Sequence, residues 1–143
     1  MKIRHILLLI TASLALCAPS LAADASPKKH RIVFEMVSEG REPWDALLNN
    51  IENAQKALGA ETTEIEVVAH GKGLGILLKE SEVSERVEKL AGTGVIFAAC
   101  ENSMKKKGVT KEQLLPVATT VDSGVAEVIR KQEAGWSYLK SGG

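Results

Sequence analysis

Between Arg31 and Leu139 the chain repeats one pattern four times: a short apolar run, a break, then apolar residues at helical spacing. The first run, "RIVFEMVS" (Arg31 to Ser38), is rich in β-formers and predicts a strand. "EGREP" breaks it, and Pro43 suits the first turn of a helix. That helix is marked by Trp44, Leu47, Leu48, Ile51, Ala54 and Leu58, with Gly59 as its stop. "TEIEVVAH" (Thr63 to His70) begins in alternation and ends apolar, a second strand. After "GKGLG", the segment "ILLKESEVSERVEKLAG" predicts a helix with Val83, Val87 and Leu90 on one face. "GVIFAAC" is the third strand, and "ENSMKKKG" reads as a short helix or turn. In "TKEQLL", Thr110 stands three residues before Gln113, the spacing of a capping box. "PVATTV" (Pro116 to Val121) is the fourth strand, with proline at its tolerant first position. A long closing helix follows, capped by Asp122 or Ser123 and striped by Val125, Val128, Ile129, Gln132, Trp136 and Leu139.

Short, nearly continuous apolar strands alternating with helices predict a parallel sheet covered on both faces. The expected fold is one three-layer α/β/α domain over residues 31–143, with four to five strands. Aromatic residues make up only 3% of the chain, so Val, Ile, Leu and Ala must fill the core.

The first residues follow a different logic. Lys2 and Arg4 precede an apolar stretch from Ile6 to Cys17, shorter than the about 20 residues a membrane-spanning helix needs. "APSLA" then provides small residues at Ser20 and Ala22. Residues 1–22 read as a secretory signal peptide, and residues 23–30 as a flexible polar tether. Leu16 is too bulky for a lipoprotein signal at Cys17. The expected location is therefore the periplasm, with no membrane segment after cleavage. Cleavage leaves 16 basic and 18 acidic residues, without the positive excess that a nucleic-acid binder uses.

Cleavage also leaves one cysteine, Cys100, at the end of the third strand. A lone thiol in an oxidising compartment is buried, bonded to another chain, or reactive. In parallel sheets, ligands bind where loops leave the carboxyl ends of the strands. Three such loops carry uncommon content: "SEGREPW", "HGKGLG" and "CENSMKKKG". The candidate binding residues are His70, Gly71, Lys72 and Gly73 from the second loop, and Glu101, Asn102, Ser103 and Met104 from the third. Amides opening a helix after Cys100, and Lys105 to Lys107, favour its thiolate, whereas Glu101 opposes it. The glycines at 71, 73 and 75 match neither a dinucleotide fingerprint nor a phosphate loop. His70, Cys100 and Met104 are soft or borderline ligands suited to copper(I). No CxxC or paired-ligand motif accompanies them, so neither a metal nor a cofactor is assigned. Glu35, Glu39 and Glu42 cluster after the first strand, as acids commonly do on surface loops.

Together, "VVAHGKGLGILL", "GVIFAACENSMKKKGVTKEQLLP" and "VATTVDSGVAEVIRKQEAGWSYLK" resemble the DsrE/DsrF-like proteins of sulfur relay, from about Arg31 to Lys140. The strand-end cysteine followed by "xNxM" and the closing segment carry the likeness. The resemblance implies homo-oligomers, trimers or hexamers, and a cysteine that carries sulfane sulfur as a persulfide between donor and acceptor proteins. That role maps onto Cys100, making the chain a sulfur carrier of sulfurtransferase type. The alternative is a non-catalytic, oligomeric small-ligand or partner-binding protein in which Cys100 is only packed, with a soft-metal binder as a third reading.

Overall fold

The computed structural model describes residues 29–141. The expected signal peptide and most of the tether lie outside them. Within them, five strands form one parallel sheet in the order β4-β3-β2-β1-β5. The strands are β1 (His30–Met36), β2 (Thr63–Ala69), β3 (Ile96–Cys100), β4 (Ala118–Val121) and β5 (Ser137–Ser141). Helices α1 (Arg41–Leu58), α2 (Ser84–Ala91), α3 (Glu101–Lys107) and α4 (Gly124–Glu133) connect them. Strand β1 opens at His30, inside the stretch assigned to the tether, and Lys29 bonds Glu64 on β2 at 2.8 Å.

The apolar spacing read in α1 does bury one side of it: Leu47, Leu48 and Ile51 are fully enclosed. Each such side chain contributes about 1.5–3 kcal/mol by leaving water. They pack with Val83, Val87 and Leu90 against Phe34, Val67 and Phe97 of the sheet. On the opposite face, α4 lays Val128 over Val33 and Val68, with Trp136 beside them. That second cluster is small, and a polar clamp supplements it. Lys131 of α4 reaches the buried carboxylate of Glu66 at 2.5 Å and stacks over Trp136 at 4.4 Å.

Three expectations need correction. The closing helix stops at Glu133, and Trp136 and Leu139 are not on it. Gly135 turns the chain at φ 83°, a conformation costly for other residues, and "SYLKS" then pairs with β1 as the fifth strand. The segment after the glycine loop is a 3₁₀ run, Gly71–Leu77, and α2 begins only at Ser84. The fourth strand starts at Ala118, two residues past the proline. Of the two candidate caps, Ser123 accepts the Ala126 amide at 3.4 Å. Asp122 instead takes both guanidinium nitrogens of Arg130, at 2.7 and 2.9 Å. The capping box at Thr110 and Gln113 forms as the spacing predicts.

Candidate functional site around Cys100

Side chains alternate along a strand, so register decides which residues share a face. Glu35 of β1 pairs with Val68 of β2, and Val68 pairs with Ala98 of β3. Glu35, His70 and Cys100 therefore stand on one face of the sheet, the face that α4 covers. His70 extends the ladder one step beyond β2, its N–H donating to Met36 O at 3.1 Å. Ala69 pairs with Ala99, which places His70 and Cys100 at the next positions of two adjacent strands, about 4.8 Å apart in such sheets.

Cys100 is 4% exposed and is the free cysteine of the described residues. It closes β3 and directly precedes α3. Burial, the largest influence on its thiol, raises the pKa. Hydrogen bonds from the Ser103 hydroxyl and from the amides of Gly124, Ser103 and Asn102 outweigh it, and the thiol lies below its ordinary range. The groups that lower it sit at two helix starts: Asn102 and Ser103 open α3, and Gly124 opens α4. The largest favourable influences are hydrogen bonds rather than the charges of Lys105 to Lys107, which are all exposed.

Ser103 also ties two loops together, since the Gly71 amide donates to its Oγ at 2.9 Å. Lys72 reaches across to Glu39 at 3.0 Å, and Trp44 Nε1 donates to Ser38 O at 3.0 Å. The three strand-end loops therefore meet, as their sequence content suggests. Gly73 makes the junction close. A Cβ there would lie 2.2 Å from Met36 O, so a larger residue would push the loop off the end of β1.

The expected binding residues separate on this geometry. Gly71, Asn102 and Ser103 are linked to the thiol or to its hydroxyl partner, and His70 stands beside it. Lys72 is engaged with Glu39 on the surface. Glu101 turns to Thr120 Oγ1 at 2.7 Å and to Lys111 at 3.8 Å. Met104 is a correction: its side chain is buried in the main core with Phe97 and Ala99, on the other side of the sheet from the thiol. Among the described residues no group of three or more His, Cys, Asp and Glu is placed to hold a metal ion. No helix there is long and apolar enough to cross a membrane.

Three participants were not anticipated. Glu35 accepts His70 Nε2 at 2.7 Å and the Tyr138 hydroxyl at 2.5 Å, one on each carboxylate oxygen. Tyr138 belongs to β5, the strand hidden in the expected closing helix. Gly124 packs flat against the His70 ring, and a Cβ there would meet His70 Cβ, Cδ2 and Cγ at 2.9–3.1 Å. Burial, the largest influence on Glu35, raises its pKa, but the bonds from Tyr138 and His70 bring it below its ordinary range. The same bond pushes Tyr138 up to about 12.

Surface concavities of about 480, 340 and 300 Å³ lie elsewhere, and none is lined by Cys100 or His70. The largest of the three runs along β4 between Lys79, Lys111 and Thr119. The thiol itself is nearly enclosed, at 4% exposure.

The comparisons with other proteins address the whole described region. The model of the DsrE/DsrF-like family matches residues 31–141. The chain belongs to that family. A solved structure of similar fold, a protein of unknown function from Methanobacterium thermoautotrophicum, is 35% identical with a TM-score of 0.75. The alignment covers 78% of this chain and 99% of that one. Two more distant structures share the fold. A conserved protein of unknown function from Bacteroides thetaiotaomicron has 13% identity and a TM-score of 0.60, over 76% of this chain and 92% of that chain. The YchN protein from E. coli has 14% identity and a TM-score of 0.56, over 79% and 98%. No curated protein matches the sequence significantly.

Proposed function

We propose that this DsrE/DsrF-like chain is a sulfur carrier in which Cys100, as thiolate, accepts sulfane sulfur as a persulfide and passes it on. The observation that carries this reading is the thiol's setting. A nucleophile needs its anionic form. At the end of β3, beside two helix starts, the Ser103 hydroxyl and the amides of Gly124, Ser103 and Asn102 hold the Cys100 thiol below its ordinary range. The same donors suit the negative outer sulfur of a persulfide. Family membership supports a relay role, with donor and acceptor proteins as partners. The signal-peptide reading of residues 1–22 supports a periplasmic setting for this role. A homo-oligomer, trimer or hexamer, would cover the exposed Val125 and Ile129 on α4.

The test is intact-mass measurement of the mature protein after incubation with a small persulfide. Wild type gains one sulfur atom and Cys100→Ser gains none. A wild-type mass that does not change, with a thiol inert to alkylation in the folded protein, overturns the proposal.

The 4% exposure of Cys100 favours a second reading, a binding protein whose thiol is merely packed. It predicts that Cys100→Ser lowers stability while the folded wild-type thiol resists alkylation.

A further inference from the structure

The carrier reading leaves three polar groups unexplained, and they lie in a line across the α4 face. Tyr138 on β5 donates to Glu35 on β1, and Glu35 accepts from His70 at the end of β2. One step further along the sheet stands Cys100, at the end of β3. The line thus crosses four adjacent strands, from an edge to the candidate nucleophile. Glu35 and His70 are largely enclosed, with side chains 19% and 18% exposed. Enclosing a carboxylate in a sheet face is costly unless it is hydrogen-bonded, and here both of its oxygens are engaged.

The chemistry of the chain of bonds fixes a direction. An ionised carboxylate only accepts hydrogen bonds, so His70 must carry its proton on Nε2. In the neutral ring the lone pair then lies on Nδ1. The ring cannot swing toward α4, because Gly124 is pressed against its Cβ–Cγ–Cδ2 edge. The Gly124 amide is in turn one of the groups that lower the Cys100 thiol. One residue therefore walls the imidazole and bears on the thiol.

We infer that His70, oriented by Glu35 and Tyr138, is the proton acceptor for the Cys100 thiol and returns that proton to the leaving group. In the first step the Cys100 S–H bond breaks, its proton moves to His70 Nδ1, and the electron pair stays on sulfur. The thiolate then attacks the outer sulfur of a donor persulfide. A new S–S bond forms on Cys100, and the donor's S–S bond breaks. The donor leaves as a thiolate, takes the proton from His70 and departs as a thiol. Sulfur changes carrier without net oxidation, and no further reactant is needed. Glu35 and Tyr138 are positioning residues: neither touches the sulfur, and each acts through the next. Glu35 from β1 bonds His70 directly, and Tyr138 from β5 reaches it through Glu35. Cys100 stands at the neighbouring strand end on β3, and Lys140 of β5 acts on Glu35 from further off.

The sulfur-transfer part rests on the carrier reading, whereas the proton-acceptor part is measurable without it. The experiment follows the rate of Cys100 alkylation by iodoacetamide as a function of pH, in wild type, His70→Phe, Glu35→Gln and Tyr138→Phe, beside persulfide uptake. General-base assistance is worth about 100-fold or more in complete sites, and a thiol of already lowered pKa needs less of it. His70→Phe is expected to slow alkylation near neutral pH by about tenfold and Glu35→Gln by a few-fold, with Tyr138→Phe less affected. In alkaline buffer, where the thiolate forms unaided, all four rates converge. That convergence separates a proton role from a structural one. Neutral-pH rates equal to wild type, or a deficit that persists in alkali, overturn the inference. Tyr138→Phe, at the sheet edge, carries the test if the inner variants do not fold. Histidine-dependent alkylation without sulfur uptake sinks the carrier reading alone. Normal uptake and alkylation in all variants sink the relay alone.

Discussion

The two faces of the sheet are built by different rules. The face under α1 and α2 gathers twenty-one buried apolar residues into one cluster, while the α4 face gathers three. The first face is where the chain gains its stability. The second carries Glu35, Glu66, His70 and Cys100, and one ten-residue helix covers it. A face with little apolar area has room for ionisable groups, and polar bonds then hold the covering helix down. Stability and chemistry are thereby separated by the thickness of a single sheet, so they should respond to different substitutions.

The largest effect should come from the apolar face. Phe97→Ala removes a wholly buried ring and should cost about 3–5 kcal/mol in urea unfolding. In the protein that remains folded, Cys100 should alkylate at nearly the wild-type rate. A large change in that rate would show that the two faces are coupled.

Next comes the clamp on the other side. Lys131→Met leaves Glu66 buried without its ammonium partner, and roughly 2 kcal/mol of stability should be lost near neutral pH. That is below the cost for a fully buried pair because Lys131 is itself 21% exposed. The pH dependence has a definite sign. Burial, the largest influence, raises the Glu66 carboxyl above its ordinary range despite Lys131. The folded state then holds a proton that the unfolded chain has released. The stability linked to that proton is complete in acid, below the unfolded glutamate value, and is lost as pH rises through the raised one. The Lys131→Met protein should therefore recover stability on acidification more than wild type does, and unfolding across mildly acid pH measures it.

A smaller change in stability, with a clear change in chemistry, is expected for Ser103→Ala. Its hydroxyl is the first of the groups lowering the Cys100 pKa, so removing it should raise that pKa. Alkylation should slow near neutral pH by a few-fold and fold stability should shift by about 1 kcal/mol or less. An unchanged thiol titration would mean that the amides alone set the thiolate.

The smallest effect belongs to the surface. Asp122 is held at about 2, chiefly by its hydrogen bonds from the Arg130 guanidinium. A depressed carboxylate stabilises the fold above its unfolded value, and that contribution fades as pH falls toward 2. Asp122→Asn should thus be nearly silent in activity, with a slight loss of stability at neutral pH that vanishes in strong acid.

The same contrast explains what the sequence made legible. The apolar face could be read because each of its residues is part of a long hydrophobic pattern. Leu47, Leu48 and Ile51 repeat at helical spacing, and Phe97 sits in an unbroken run. Cys100 and His70 were found by position alone, as unusual residues at strand ends. Glu35 was passed over because an acid beside a loop is ordinary, and its pairing with His70 exists only once β1 and β2 are laid in parallel register. Tyr138 was hidden for another reason. Trp136 and Leu139 continue the apolar spacing of α4, and only the turn at Gly135 tells a helix from a following strand. Met104 misled in the opposite way, since a residue one helical turn from a thiol suggests a shared site. The helix start rotates it into the core instead. Local spacing thus predicts packing well, but it predicts a site poorly when four strands each contribute one residue.

The central claim is that the thin face carries a sulfur-accepting thiol. The measurement that addresses it most directly is the intact mass of the mature protein after exposure to a small persulfide donor, compared with Cys100→Ser. The account predicts a gain of one sulfur atom in wild type, reversed by a thiol acceptor, and no gain in the variant. A wild-type mass that stays unchanged while the folded thiol also resists alkylation would contradict it, leaving Cys100 as a packed residue at the end of β3.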